Sequence, residues 1–159
     1  MSDQSSVVEA LKKQFGEGIT ATRTFRNQLS VFVEPGRIAD ICTFCRDDVR
    51  LAFEMLTDLT AVDFLPREPR FEVVYNLYSF RHNARLLVKA PLAENDTLPT
   101  VEGVWKAANW LEREVYDLFG IVFENHSDLR RILLWDGYIG HPLRKDFPLL
   151  GVPQTVQYG

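Results

Sequence analysis

Apolar residues in this chain fall first at helical and then at strand spacing. Val7, Val8, Leu11 and Phe15 recur along one helical face of SVVEALKKQF, Ser6 stands where a cap would, and Gly16 and Gly18 follow as a stop. This predicts a first helix over Ser6–Phe15. Alternation from Ile19 to Phe25 and from Leu29 to Val33 predicts two short strands, with Arg26, Asn27 and Gln28 as their turn. Pro35 occupies a first-turn position, where its missing donor costs nothing. Ile38, Ile41, Cys42, Cys45 and Val49 then form the stripe of a second helix.

A third strand is expected over Thr57–Phe64, ended by Pro66 and Pro69. A long hairpin follows, Phe71–Phe80 and Arg85–Ala90 around Arg81, His82 and Asn83, and Pro91–Pro99 reads as a linker. In WKAANWLEREVYDLFG, a turn of about 100° per residue puts Trp105, Ala108, Leu111, Val115, Leu118 and Phe119 on one arc, with Gly120 as the stop. The expected fold is α+β: a mostly antiparallel sheet of about five strands with three helices packed on it, followed by an extended C-terminal tail. The expected division is a compact unit over residues 1–120 and an extended segment over 121–159 that docks on a partner.

The third helix carries the first chemical signal. Glu112 falls inside the apolar arc, whereas Arg113 and Asp117 fall opposite it at i, i+4 spacing. Burying an unpaired carboxylate costs several kcal/mol, so Glu112 is expected to pair with a cation. Arg130, Arg131, Arg144 and Lys145 are the nearest in sequence, and an ion pair with one of the arginines is the reading. Trp110 points to the polar side of the helix, which marks it as a candidate interface residue.

Beyond Gly120 the last 39 residues hold four glycines and three prolines with almost no period. A structureless stretch of this length is uncommon in a compact domain unless it is functional or disordered. Ile132, Leu133, Leu134, Trp135, Tyr138, Ile139, Leu143, Phe147, Leu149 and Leu150 make it too apolar for a solvated tail. Such a segment is expected to lie on something.

Composition narrows the function. The 159 residues suit one compact domain, which buries about two thirds of its unfolded surface. A net charge of −4 and a pI near 5.4 give no footprint for nucleic acid. No apolar run approaches the roughly 20 residues of a bilayer crossing. The amino terminus has neither a secretory apolar core nor an arginine-rich transit character, so a bacterial cytoplasmic address is expected.

Candidate cofactor chemistry is thin. Cys42 and Cys45 form a C-x-x-C pair, but they lie about two turns into a helix on its apolar stripe with no second ligand pair, so core packing is the reading. His82, His126 and His141 show no ligand spacing, and no phosphate loop, dinucleotide fingerprint or nucleophile elbow appears. An enzyme that uses Glu112 with His126 or His141 is a remote alternative.

The run WLEREVYDLFGIVFENHSDLRRILLWDGYIGHPLRKDFPL, residues 110–149, resembles the signature region of the 30 kDa-type, or C-type, subunit of respiratory complex I, the NADH:quinone oxidoreductase. That family's pattern is close to E-R-E-x-x-D-x-[FY]-G followed by H-P-L-R-K-D-[FY]-P. Glu112, Arg113, Glu114, Asp117 and Gly120 match the first part; His141, Pro142, Leu143, Arg144, Lys145, Asp146, Phe147 and Pro148 match the second. Arg46–Phe64 is also similar. Trp135, Asp136 and Gly137 depart from the common loop sequence, where relatives often have Pro or Thr-Asp.

The resemblance implies a non-catalytic structural subunit of the hydrophilic arm, peripheral to the inner membrane on its cytoplasmic side. In such a complex electrons pass from NADH through FMN and Fe-S clusters to quinone, and all of those cofactors belong to other subunits. The implied partner is mainly the D-type subunit, which helps form the quinone site, with the B-type and I-type subunits as further neighbours. The helix motif would then set the exit of the tail through charge pairs, and the terminal block would lie across the D-type subunit with its prolines near polyproline II geometry. The equivalent subunit of a ferredoxin-linked photosynthetic complex or of a membrane-bound hydrogenase is the alternative at family level.

Overall fold

The computed structural model describes residues 4–154, so the outermost ends of the expected division, 1–3 and 155–159, lie outside the described residues. Helix α1 (Gln4–Phe15) leads into β1 (Ile19–Phe25) and β2 (Gln28–Val33), joined by a two-residue turn. Arg26 and Asn27 both take positive φ, 47° and 63°, the pairing that matches the right-handed twist of a hairpin. A single turn over Pro35–Arg37 opens α2 (Ile38–Asp47). Strands β3 (Met55–Asp63), β4 (Phe71–Ser79) and β5 (Ala84–Leu92) form an antiparallel meander.

The sheet order is β1-β2-β5-β4-β3, and the β2–β5 pair alone is parallel. After β2 the chain crosses by way of α2 to the far edge, and the meander returns to close on β2. The expected class is therefore observed. Alternation decides which face is covered: Phe71, Val73, Tyr75 and Leu77 of β4 and Leu86, Val88, Ala90 and Leu92 of β5 are buried while their neighbours are half-buried. These residues join Val7 and Leu11 of α1, Ile38, Ile41, Cys42 and Cys45 of α2, and later helical residues in one core. Each fully buried Val, Leu, Ile or Phe is worth roughly 1.5–3 kcal/mol.

Several boundaries differ from expectation. Ser6 falls inside the first turn of α1, which starts at Gln4. Helix α2 stops at Asp47, so Val49 is 68% exposed and leaves the stripe; Asp48 accepts from Leu51 N–H and Ala52 N–H through its backbone carbonyl and turns the chain. The expected linker contains the end of β5 and a three-residue strand, β6 (Thr97–Pro99). The third helix, α3, spans Ala108–Phe119, and Trp105 packs in the turns before it.

Strand β7 (Val122–Glu124) follows α3 and pairs in parallel with β6. The unit β6–α3–β7 thus clamps the third helix at both ends against the main sheet. Gly120, at φ 77°, supplies the left-handed position that ends α3, and its N–H donates to Tyr116 carbonyl oxygen at 2.8 Å.

Candidate functional site

Helix α3 presents two faces. Ala108, Glu112, Val115 and Phe119 turn inward, as the periodicity predicts. Asp117 is also fully buried, against the expectation that it lies on the polar side. Its cover is the segment after β7, a neighbour that a helical projection does not contain.

Glu112 makes no ion pair with Arg130, Arg131 or Arg144, which corrects the expected pairing. One carboxylate oxygen accepts from Val101 N–H at 2.7 Å and the other from the Thr100 hydroxyl. Both donors belong to the stretch between β6 and α3, so Glu112 pins that stretch to the helix. His126, whose ring is fully buried, lies 3.8 Å from Glu112 and 3.7 Å from Glu102. Its Nδ1 lies 3.0 Å from the Asp128 backbone nitrogen and its Nε2 2.9 Å from the Asn109 carbonyl oxygen. Burial pushes the Glu112 carboxyl up to about 7, against the pull of Thr100, Val101 and His126.

Asp117 is held in the opposite sense. Backbone N–H groups of Ile132, Leu133 and Leu134 donate to one oxygen at 3.1, 2.8 and 2.9 Å. Arg131 donates to the other at 2.8 Å. Burial alone would raise this carboxyl, but the donors outweigh it and hold it below the usual carboxylate range. Arg131 also donates to the Tyr138 and Gly140 carbonyl oxygens, each at 3.0 Å, and so folds the tail around itself. Arg113 donates to the Arg130 and Arg131 carbonyl oxygens and not to Asp117. Arg130 pairs with Asp128 in the open. Glu114 is half-buried and Trp110 is 69% exposed.

The terminal block returns to the main sheet. His141 Nδ1 lies 2.9 Å from the Asp117 carbonyl oxygen, and the imidazole covers Gly120, where a Cβ would stand 2.7 Å from the ring. Leu143 N–H donates to the Leu118 carbonyl oxygen at 3.0 Å. Where polyproline II backbone is expected, the chain makes successive turns: Arg144 N–H donates to His141, Phe147 N–H to Arg144, and Gly151 N–H to Pro148. Gly140 allows Phe147 to pack back, since a Cβ there would lie 2.7 Å from that ring.

Asp146 meets Arg70, which is 1% exposed at the start of β4. Arg70 forks onto Asp63 at 3.1 and 2.8 Å and onto Asp146 at 3.1 and 2.8 Å, and also reaches Glu94 at 2.9 Å. Arg144 closes the ring by pairing with Glu94 and Asp146, and Lys145 N–H donates to Asp63 at 2.8 Å. The Arg70 guanidinium holds Asp146 down at about 2, and Asp63 lies well below the carboxylate range because Arg70, Lys145 and Leu65 donors outweigh its burial. Pro142 is half-buried and Pro148 exposed.

Sequence reasoning missed Asp63, Arg70, Glu94, Thr100 and Glu102. Asp63 had a signal, because it shares the inward phase of Leu59 and Ala61 along β3. Arg70 had none, since it precedes a strand in a proline-rich stretch. Among the described residues no group of three His, Cys, Asp or Glu side chains is placed to hold a metal ion.

While Arg131, Arg144 and Asp146 bind the compact unit, the segment leaves apolar side chains outside. Leu133, Trp135, Ile139 and Leu143 are 61%, 48%, 48% and 52% exposed, and Leu149 and Leu150 are almost fully so.

The profile of the family described as "Respiratory-chain NADH dehydrogenase, 30 Kd subunit" matches residues 31–153. The chain is 48% identical over 152 residues to the NADH-quinone oxidoreductase C subunit of Geotalea uraniireducens, covering 95% of this chain and 92% of that one. It is 50% identical over 153 residues to the corresponding C subunit of Geobacter metallireducens, covering 95% and 93%. Its fold is similar to a chain of the membrane-bound sulfane sulfur reductase, an archaeal respiratory membrane complex, with TM-score 0.66, 27% identity, and coverage of 92% of this chain and 86% of that chain. The inward-turned motif and the long match agree: the chain belongs to the family of the 30 kDa, or C-type, subunit of respiratory-chain NADH:quinone oxidoreductase.

Proposed function

We propose that this chain is a non-catalytic structural subunit of the peripheral arm of a proton-translocating NADH:quinone oxidoreductase. It clamps the D-type subunit that forms the quinone site, with the B-type and I-type subunits as further neighbours, and leaves FMN, Fe-S clusters and quinone to other subunits. It sits peripherally at the cytoplasmic side of the inner membrane; no helix among the described residues is long and apolar enough to cross one.

The observation that carries this reading is the division of labour in residues 125–150. Arg131, Arg144 and Asp146 are spent on the compact unit, through Asp117–Arg131, Arg144–Glu94 and Arg70–Asp146, while Asp128 and Arg130 pair in the open and Leu133, Trp135, Leu143, Leu149 and Leu150 face out. A segment ordered in this way meets a partner with little further entropy to lose. The Glu112–His126 pair, which an enzyme would need open to substrate, is sealed with both side chains at 0% exposure. The named relatives favour the NADH-linked complex over a ferredoxin-linked one.

Arg144→Ala and Asp146→Ala each break the ring around Arg70. The expected result is less assembled complex on a native gel, with NADH:quinone turnover per assembled complex nearly unchanged. Normal assembly with slow quinone reduction would overturn the structural reading.

A further inference from the structure

The opposite end of the sheet from the carboxyl-terminal block carries a second surface. There the β1–β2 turn and the β4–β5 turn lie side by side, because β2 and β5 run parallel with Leu29 opposite Leu86. Phe25 and Phe80, one on each tip, are 67% and 65% exposed. Between the tips runs a groove of about 870 Å³ lined by Arg26, Asn27, Gln28, Tyr78, Asn83 and Arg85 among others, and among the described residues no carboxylate lines it.

Among the described residues, arginines without a carboxylate partner occur singly elsewhere, as at Arg23, Arg67 and Arg113, and three of them gather at this end. Arg46, Arg50, Arg70, Arg130, Arg131 and Arg144 each pair with a carboxylate. Arg26, Arg81 and Arg85 have no carboxylate partner among the described residues; Arg26 stacks over Phe25, with its guanidinium carbon 5.3 Å from the ring centre. Glu54, the carboxylate tied to this end, is occupied by Phe80 N–H at 3.0 Å. Three arginines without a carboxylate partner among the described residues therefore gather at two tips of a chain whose net charge is −4.

The groove is also built. Asn27 accepts from the Gln4 side-chain amide at 2.8 Å through its backbone carbonyl, and Tyr78 Oη donates to Asn83 Oδ1 at 2.7 Å, so both turns are braced. We propose that this groove docks an acidic, extended segment of a neighbouring subunit, with Arg26 and Arg85 taking its carboxylates and Phe25 and Phe80 covering its apolar side chains. The planar arginine fork fits carboxylates in a bidentate manner. Side-chain amides can serve both the N–H and C=O groups of an extended backbone. A membrane surface would meet the tips as a flat layer and leave the concave amides without partners, which favours a polypeptide.

The surface is distinct from the carboxyl-terminal clamp and rests only on membership in a multisubunit complex. The test places the photo-crosslinking residue p-benzoylphenylalanine at Phe80, and in a separate variant at Leu149, in intact complex purified in mild detergent. The expected product at Phe80 is a cross-link to another subunit within a stretch rich in Asp and Glu. Its yield should fall at least fivefold in the Arg26→Glu, Arg85→Glu double variant and persist in the Arg26→Lys, Arg85→Lys one. Cross-links to lipid, to a stretch without acidic excess, or to no other chain would overturn the proposal, as would a yield indifferent to charge reversal. Leu149 reports the carboxyl-terminal contact separately, so failure there with the Phe80 product intact counts against the clamp and not against this groove.

Discussion

Helix α3 carries two fully buried carboxylates five positions apart, and its two ends hold them in opposite ways. Near its start, Glu112 has one backbone N–H, one hydroxyl and a histidine ring around it, and burial wins, so the carboxyl rises to about 7. In its last turn, Asp117 has three backbone N–H donors and Arg131, and the donors win, so the carboxyl stays ionised. The difference teaches what each end fastens. Glu112 ties α3 to a loop of the compact unit with neutral or weakly charged bonds. Asp117 uses full charge to gather a segment that has no ladder of its own.

The largest effect is expected at the charged end. Asp117→Ala leaves Arg131 and three N–H groups without their acceptor, which should cost about 3–5 kcal/mol in denaturant unfolding. Hydrogen exchange should speed up first over residues 131–147. An equal gain in exchange across β3–β5 would break the comparison, because it would make Asp117 a core residue and not a fastener of the tail.

The second prediction turns on pH. The folded Glu112 carboxyl sits above its ordinary value, so its stabilising contribution is full below about 4.5 and is lost as pH rises through about 7. That loss is on the order of 3 kcal/mol. Glu112→Gln should flatten the fall in the urea midpoint between pH 5 and 8. Asp117 and Asp146 act with the opposite sign, since their lowered carboxyls contribute above the ordinary value and lose that contribution as the solution turns acid, for Asp146 down to about pH 2. Acid should therefore loosen the carboxyl-terminal segment while Glu112 is at its most favourable.

A smaller effect is expected at the joint between the two regions. Gly120→Ala forces a side chain into the left-handed region, at about 1–2 kcal/mol, and pushes it against His141. The midpoint of unfolding should drop, and the ring signals of His141 should shift while those of His126 stay in place. The smallest belongs to Arg130→Ala, whose exposed pair with Asp128 should change stability by less than about 0.5 kcal/mol.

The local pattern was sufficient for every element whose side chains repeat with the backbone. The β1–β2 hairpin, the β4–β5 hairpin, the inward stripe of α3 and the burial of Cys42 and Cys45 all follow from periods of 2 or 3.6, which are properties of the chain itself. Glu112 on the apolar face was legible for the same reason. Strands β6 and β7 were not, because three residues hold no period and their pairing is a parallel contact across a helix. The partners of the charges were not legible either. Asp117 turned out buried because a distant segment covers it, Glu112 found Thr100 and Val101 where arginine was expected, and Asp146 crossed 76 positions to reach Arg70. Periodicity reports which side of an element avoids water; which polar group waits there depends on how elements far apart in sequence are brought together.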